Sequence, residues 1–468
     1  MKIEQIYTGC IAHAAYYLES EGEAAIFDPL REVQPYIEMA EKNNAKIKFI
    51  FETHFHADFV SGHLDLAKKT GATIVYGPTA SPNFEALIAE DGQEFKLGKY
   101  TIKAIHTPGH TLESTCYLLI DENNKEHGII TGDTLFINDV GRPDLAQHVK
   151  AELTQEILAS KLFDSLRNKI MPLSDDLIVY PNHGAGSACG KHMSKETTDT
   201  LGHQKEVNYA LRKDMSREEF MEALLEGLTP PPAYFPKNVL MNINGYESID
   251  TILDRGMNAI SPEAFETIAN EMDALVLDTR DAENFANGHI PNSINIGIDG
   301  NFATWVGSLI PDIKQNILIV ADEGREQEVI TRMARVGYDN CMGYLNGGFE
   351  SWKNSNHQIS TTDRIYAKTL ESLNLSEETI IDIRNPREFE LGHIAGAINI
   401  PLESINSNLE AFPKNKHFII HCAGGYRSMI AASILESRNW DNFSEVRGGF
   451  KSISETQLPI EQTAVCNN

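Results

Sequence analysis

The sequence predicts a multidomain α/β protein. Short apolar strand runs alternate with helical stretches along the whole chain, the pattern of sheets flanked by helices. Residues 276–296, VLDTRDAENFANGHIPNSINI, return as IIDIRNPREFELGHIAGAINI at 380–400, a copy of domain size. The length of 468 residues is the third observation: at about 150 residues per domain it suggests roughly three domains, each able to bury its own core. Hydrophobic residues make up 41 % and charged residues 23 %, the balance of a globular chain rather than a disordered one.

The first 240 residues lie outside the repeat. Strands are expected at Ala24–Phe27, Ile47–Phe51, Thr73–Tyr76, Tyr100–Ile105, Thr115–Ile120, Gly128–Thr131 and Leu177–Tyr180. Between them, HLDLAKKT reads as a helix, with Ser61 available to cap its start and Gly71 its end. Thr229–Pro236 holds Pro230, Pro231, Pro232 and Pro236; proline at that density argues against regular helix and marks a linker. In the repeat, Asp278 pairs with Asp382, Arg280 with Arg384, Gly288 with Gly392 and His289 with His393, and Gly347-Gly348-Phe349 with Gly448-Gly449-Phe450. Strand runs at Ala274–Leu277 and Ile317–Val320 match Thr379–Ile383 and His417–His421. Three domains follow: 1–240, 241–358 and 359–468.

A formal net charge of −27 argues against a nucleic-acid or anionic-membrane partner, both of which need a cationic surface. No apolar run approaches the ~20 residues that span a bilayer. The start lacks a basic stretch followed by an apolar one, so a secretory leader is not expected. The six cysteines (10, 116, 189, 341, 422 and 466) are widely spaced and read as thiols of a cytoplasmic protein.

Thr53-His54-Phe55-His56-Ala57-Asp58 follows the strand KIKFIF. Ligand-type residues at i, i+2 and i+4 share one face if the segment is extended. Further strands also end in ligand types: His110 in TPGHT, Asp133 in GDTLF and His183 in PNHG. In that order the four segments resemble the metallo-β-lactamase family, which implies an αββα sandwich over the first 240 residues. Most members carry a histidine directly after the aspartate and bind two metals; here Phe59 stands there and cannot ligate.

Within the family the chain is similar to the persulfide dioxygenases, also through GRPDL. That resemblance implies one Fe(II) per chain held by His54, His110 and Asp133, a two-histidine, one-carboxylate set that leaves positions open. His56, Asp58 and His183 would orient water or oxygen species by hydrogen bonds, and Arg142 would bind the carboxylate of the thiol substrate through its planar fork. Cys189, on the glycine-rich loop after His183, could handle a persulfide.

His421-Cys422-Ala423-Gly424-Gly425-Tyr426-Arg427-Ser428 runs from a strand into a helical stretch. The cysteine is thereby placed over backbone N–H groups and a helix start, which stabilise an anionic sulfur; Arg427 closes the loop with a positive charge. With DIR upstream and RGGF downstream, the segment resembles the rhodanese family, whose cysteine carries a sulfane sulfur and whose loop backbone, here Gly424 and Gly425, cradles it. The first copy keeps the framework, but its loop reads Val320-Ala321-Asp322-Glu323-Gly324-Arg325. It has no cysteine and two carboxylates, so it is expected to be silent in sulfur transfer. Cys10, Cys116, Cys341 and Cys466 are expected to take no part in chemistry.

Taken together the chain resembles bacterial persulfide dioxygenase–rhodanese fusions used in sulfide detoxification. This implies a thiol persulfide and O₂ as substrates, sulfite passed to Cys422 and released as thiosulfate, and a homo-oligomer. Fusion would raise the effective concentration of sulfite at Cys422 to about millimolar for a short tether. The alternatives are a metal-dependent thioester hydrolase similar to glyoxalase II and a non-enzymatic sulfur carrier.

Overall fold

A computed structural model describes residues 2–145, 153–228, 230–375 and 377–463. The chain divides into two compact units, residues 1–251 with 333–337, and 252–332 with 338–468.

The first unit is built on two six-stranded sheets. One holds β1 (Lys2–Thr8), β2 (His13–Ser20), β3 (Glu23–Phe27), β4 (Lys46–Phe51), β5 (Thr73–Tyr76) and β6 (Leu87–Ile88) in that order. β1 to β3 are antiparallel and β3 to β6 parallel. The other holds β7 (Glu94–Leu97), β8 (Tyr100–His106), β9 (Thr115–Ile120), β10 (Glu126–Gly132), β11 (Ile178–Pro181) and β12 (Asp199–Thr200).

Period-two alternation along the strands assembles this sandwich. Tyr117 and Leu119 of β9 point inward with Tyr16, Phe27 and Phe51 of the first sheet. Cys116 and Leu118, which alternate with them, point outward against Leu162, Leu166 and Phe220. The helices Gln34–Lys42 and His63–Thr70 cover the opposite flank, on β4 and β5. The result is the αββα arrangement.

Two local expectations are corrected. Ser61 does not cap the helix His63–Thr70: Gly62 holds the N-cap position, and the Ser61 hydroxyl donates to Glu52 Oε1 at 2.5 Å. Gly71 does end that helix, in a left-handed conformation. The proline-rich segment also yields to helix at its end, since Phe235–Asn244 begins there with Pro236 in its first turn, where the missing N–H costs nothing. Thr229 and Cys466 lie outside the described residues. Among those described, no helix is long and apolar enough to cross a membrane.

The second unit repeats one architecture. β13 (Ala259–Ile260), β14 (Leu275–Asp278), β15 (Ile294–Asn295), β16 (Ile317–Val320) and β17 (Cys341–Leu345) form a parallel sheet ordered β13-β17-β16-β14-β15. β18 (Arg364–Tyr366), β19 (Ile380–Asp382), β21 (Ile398–Asn399), β22 (Phe418–His421) and β23 (Phe443–Arg447) form its counterpart, β18-β23-β22-β19-β21. β20 (His393–Ile394) pairs with β24 (Ile460–Glu461).

The repeated residues are structural. In each copy an arginine grips the aspartate two residues before it, Arg280 on Asp278 and Arg384 on Asp382, both at 2.6 Å. It also donates to the carbonyl of Gly288 or Gly392 and lies over Phe349 or Phe450.

The copies pack directly on each other. Tyr426 donates its hydroxyl to the Gly297 carbonyl at 2.8 Å, and the Asn295 N–H donates to Ser433 Oγ at 2.9 Å. A Cβ on Gly300 would sit 2.3 Å from the Tyr426 ring, so only glycine allows the approach.

In the same interface Glu436 accepts from Thr362 Oγ1 at 3.1 Å and faces His289 Nε2 at 3.5 Å. Burial pushes this carboxyl up to about 7 and pulls His289 down. The folded unit therefore keeps a proton that the unfolded chain releases near 4.5. Stability from this group is complete below that value and is lost as pH rises through 7. Glu436→Gln should remove the loss, at most about 3 kcal/mol. Urea melts at pH 5 and pH 8 should thus lie closer together in the variant than in the parent.

Candidate metal centre

The chemistry-bearing residues of the first unit sit on the loops that leave the carboxyl ends of β4, β8, β10 and β11. His54, His56 and Asp58 follow β4, His110 follows β8, Asp133 follows β10 and His183 follows β11. Backbone polar groups at strand ends are free to turn, so such loops place side chains on a rigid scaffold.

His54, His110 and Asp133 offer ligand atoms within 4.8 Å of one another, all buried. His110 Nε2 lies 3.3 Å and His54 Nε2 3.9 Å from Asp133 Oδ2. Each imidazole is oriented through its other nitrogen: His54 Nδ1–H donates to Thr53 Oγ1 at 3.0 Å and His110 Nδ1–H to the Arg142 carbonyl at 2.7 Å. His183 Nδ1–H likewise donates to the Ala12 carbonyl at 3.1 Å. This leaves Nε2 of all three as the lone pair turned to the centre, the tautomer a metal requires. Burial, and then the neighbouring imidazoles, hold His54 well below the usual histidine range and so neutral.

The donor set fits a cation. Both carboxylate oxygens of Asp58 and of Asp133, with Nε2 of His110 and of His183, are buried without a hydrogen-bond partner. Orphaned groups of this kind cost about 1–3 kcal/mol each unless they coordinate an ion. Asp58, His183 and Cys189 form a second buried trio within the same distance limit. Burial, then the Asp58 and Asp133 carboxylates, push the Cys189 thiol well above its ordinary value.

His56 goes elsewhere. The Thr53–Asp58 segment is a turn rather than a strand, so the shared-face expectation does not hold. The imidazole turns back from the centre, with Nε2 2.9 Å from Asp28 Oδ1 and 3.4 Å from Glu52 Oε2. Burial alone would lower its pKa, but the two carboxylates outweigh burial and hold it well above the histidine range. Phe59, fully buried, packs its ring 4.3 Å from those of His56 and His13.

Asp28 and Glu52 were not singled out in the sequence. The only sign of them was a carboxylate at the end of each apolar strand, AAIFD and FIFE. Arg142 is buried, and the carboxylate it engages is the chain's own Asp144, with Nε at 2.6 Å and Nη2 at 2.7 Å.

In the second unit Cys422 is buried and its sulfur accepts from the Gly425 N–H at 3.1 Å, with Ser428 Oγ 3.3 Å away. Gly425 takes φ +104° as the N-cap of the helix Tyr426–Ser437, a conformation only glycine adopts without strain. The Arg427 guanidinium pairs bidentately with Glu388 at 2.6 and 2.7 Å, so its charge at the loop is already balanced. Burial pushes the thiols of Cys116 and Cys341 up to about 11 and about 12, which leaves them unreactive.

Asp133→Asn should lower metal bound per folded chain by at least tenfold. His56→Gln should retain the metal and instead lose about 3 kcal/mol of stability, because Asp28 and Glu52 are left buried without their partner. Elemental analysis beside urea melts of the two variants checks both outcomes.

Comparison with known proteins supports the fold. Residues 8–183 match the metallo-beta-lactamase superfamily model, and residues 261–355 and 366–456 each match the rhodanese-like domain model. A crystal structure of a metallo-beta-lactamase from Staphylococcus aureus subsp. aureus COL is 30 % identical with a TM-score of 0.65, covering 74 % of this chain and 98 % of that one. A probable hydroxyacylglutathione hydrolase of Schizosaccharomyces pombe is 30 % identical over 42 % of this chain and 74 % of its own length. The hydroxyacylglutathione hydrolase of Rhizobium etli is 35 % identical over 34 % of this chain, which spans about half (56 %) of that relative. The chain belongs to the metallo-beta-lactamase superfamily and carries two rhodanese-like domains behind that domain.

Proposed function

We propose that this protein is a non-haem iron persulfide dioxygenase coupled to a sulfurtransferase. It would oxidise a low-molecular-weight thiol persulfide with O₂ to sulfite and convert the sulfite to thiosulfate. One observation carries the reading: with His56 held by Asp28 and Glu52, the trio left at the centre is two histidines and one carboxylate. That set suits Fe(II), which when bound would supply O₂ activation beside an open position for the substrate sulfur.

The balance is one persulfide, one O₂ and one water giving one thiol, one sulfite and two protons. His54, His110 and Asp133 would hold the metal, and Asp58 and His183 would orient the attacking water. Buried Phe59 keeps a further ligand out of the position after Asp58. Cys422, carrying a sulfane sulfur from a second persulfide, would be attacked by the sulfite lone pair. The S–S bond breaks, thiosulfate leaves, and the electron pair returns to the Cys422 thiolate, which the Gly425 N–H receives.

A second reading has its own support. The curated relatives above are named hydroxyacylglutathione hydrolases, and Asp58, His183 and Cys189 offer a second ligand set. Both fit a dinuclear, metal-dependent thioester hydrolase.

Oxygen uptake with a panel of thiol persulfides separates the two. A dioxygenase should contain about one iron per chain and consume O₂ only with a persulfide. One iron without persulfide-dependent uptake, or hydrolysis of a thioester by a two-metal protein, would overturn the proposal. In Cys422→Ser, O₂ uptake should persist while the product shifts from thiosulfate to sulfite.

A further inference from the structure

A cavity of about 440 Å³ opens over the Cys422 loop, and both rhodanese-like copies line it. The active copy contributes Gly424, Gly425, Arg364 and Arg447, and the copy without cysteine contributes Glu283 and Asp299. The two arginines hold one carboxylate between them. Arg364 Nη1 meets Glu283 Oε2 at 2.6 Å, and Arg447 Nη1 meets Glu283 Oε1 at 3.2 Å.

Arg364 is itself fixed from behind, with Nε on Glu445 Oε2 at 2.7 Å, while Glu445 Oε1 accepts from Ser428 Oγ at 2.5 Å. Its remaining nitrogen, Nη2, lies 4.0 Å from where a Cβ on Gly425 would stand; Gly448 N and Glu445 Oε1 each lie 3.8 Å from the same point, the carboxylate already engaged by Arg364 and the Ser428 hydroxyl. A fixed guanidinium, a second arginine and a backbone N–H thus converge beside the loop that presents Cys422. Such a group recognises a small oxyanion. The carboxylate now lodged there arrives from the other copy on a side chain that is 52 % exposed.

We propose that Arg364 and Arg447 form the binding subsite for the anionic sulfur acceptor of Cys422, and that Glu283 of the cysteine-free copy is a tethered counter-anion that sets the subsite's affinity. The inference rests on the sulfurtransferase reading of Cys422. An incoming sulfite must displace Glu283 from the two arginines before it can attack the sulfane sulfur. Glu283 is therefore a positioning residue acting through the arginines, and the silent copy tunes the chemistry of its neighbour.

Two measurements on the full-length chain test this. Inorganic sulfate, an inert oxyanion, is titrated by calorimetry into the parent, Glu283→Gln and Arg447→Gln. Arg447 is chosen over Arg364 because removing the latter would strand buried Glu445. Sulfate should bind about threefold to tenfold more tightly to Glu283→Gln and correspondingly more weakly to Arg447→Gln. Thiosulfate formation from persulfide-charged enzyme should show the same order in KM for sulfite, with the Glu283→Gln effect confined to KM and with KM for a neutral thiol acceptor unmoved.

Equal sulfate affinity in parent and both variants would overturn the subsite, as would equal changes for sulfite and the neutral thiol. Failure of every form to make thiosulfate, with the sulfate order intact, would instead overturn the acceptor chemistry and leave the anion subsite standing.

Discussion

The first unit depends on one buried carboxylate. Asp28, at the end of β3, accepts from the Thr53 N–H at 2.7 Å, from His56 Nε2 at 2.9 Å and, on its other oxygen, from Asn182 Nδ2 at 2.8 Å. It therefore ties together the ends of β3, β4 and β11, the strands whose following loops carry His54 and His183. It does so from a left-handed backbone, φ 49°, which aspartate tolerates better than most residues. In a low-dielectric interior such bonds are strong and costly to leave unmade, so the loops have one arrangement. The removal of His56 from the centre is part of the same arrangement, because the carboxylate that fixes Thr53 also claims the imidazole three residues on.

The proposed function sets the second unit a different problem, holding anionic sulfur inside a chain of net charge −27. Nothing about the overall field favours a sulfur oxyanion. The local answer is short-range: backbone N–H groups at a helix start and guanidinium groups whose charge is shared with carboxylates already in place. Arg427 is balanced by Glu388, and Arg364 and Arg447 by Glu283 and Glu445. Paired arginines keep the fold stable without a ligand, and the pairing makes their affinity for an anion adjustable rather than maximal.

Much of this was legible in the sequence because it is local. Apolar runs such as ILIV and FIIH become buried strands whatever surrounds them, and Asp-x-Arg recurs because the arginine folds back on a carboxylate two residues away. The strand ends carrying His110, Asp133 and His183 were visible for the same reason. What was hidden depends on partners distant in the chain. His56 in HFHAD reads as a group that orients water at the centre until Asp28 and Glu52 are seen to hold its Nε2. Arg142 looks free until Asp144 closes on it, and Ser61 looks like a cap until Glu52 takes its hydroxyl. β1 was missed because KIEQIYT lacks the bounded apolar run that marks the other strands; β2 carries such a run, AAYYL, and was passed over. Motif and spacing identify which residues are available, whereas competition among buried hydrogen-bond partners decides which of them face the centre.

The glycine at 300 has a consequence for how such a chain can change over generations. Its own copy has no cysteine in the equivalent loop, where Asp322 and Glu323 stand. Yet any side chain at 300 would strike Tyr426 of the neighbouring copy. The constraint at 300 thus comes from the wall this copy lends to its neighbour rather than from its own loop. A domain without the cysteine is here part of the architecture around the loop of the one that has it.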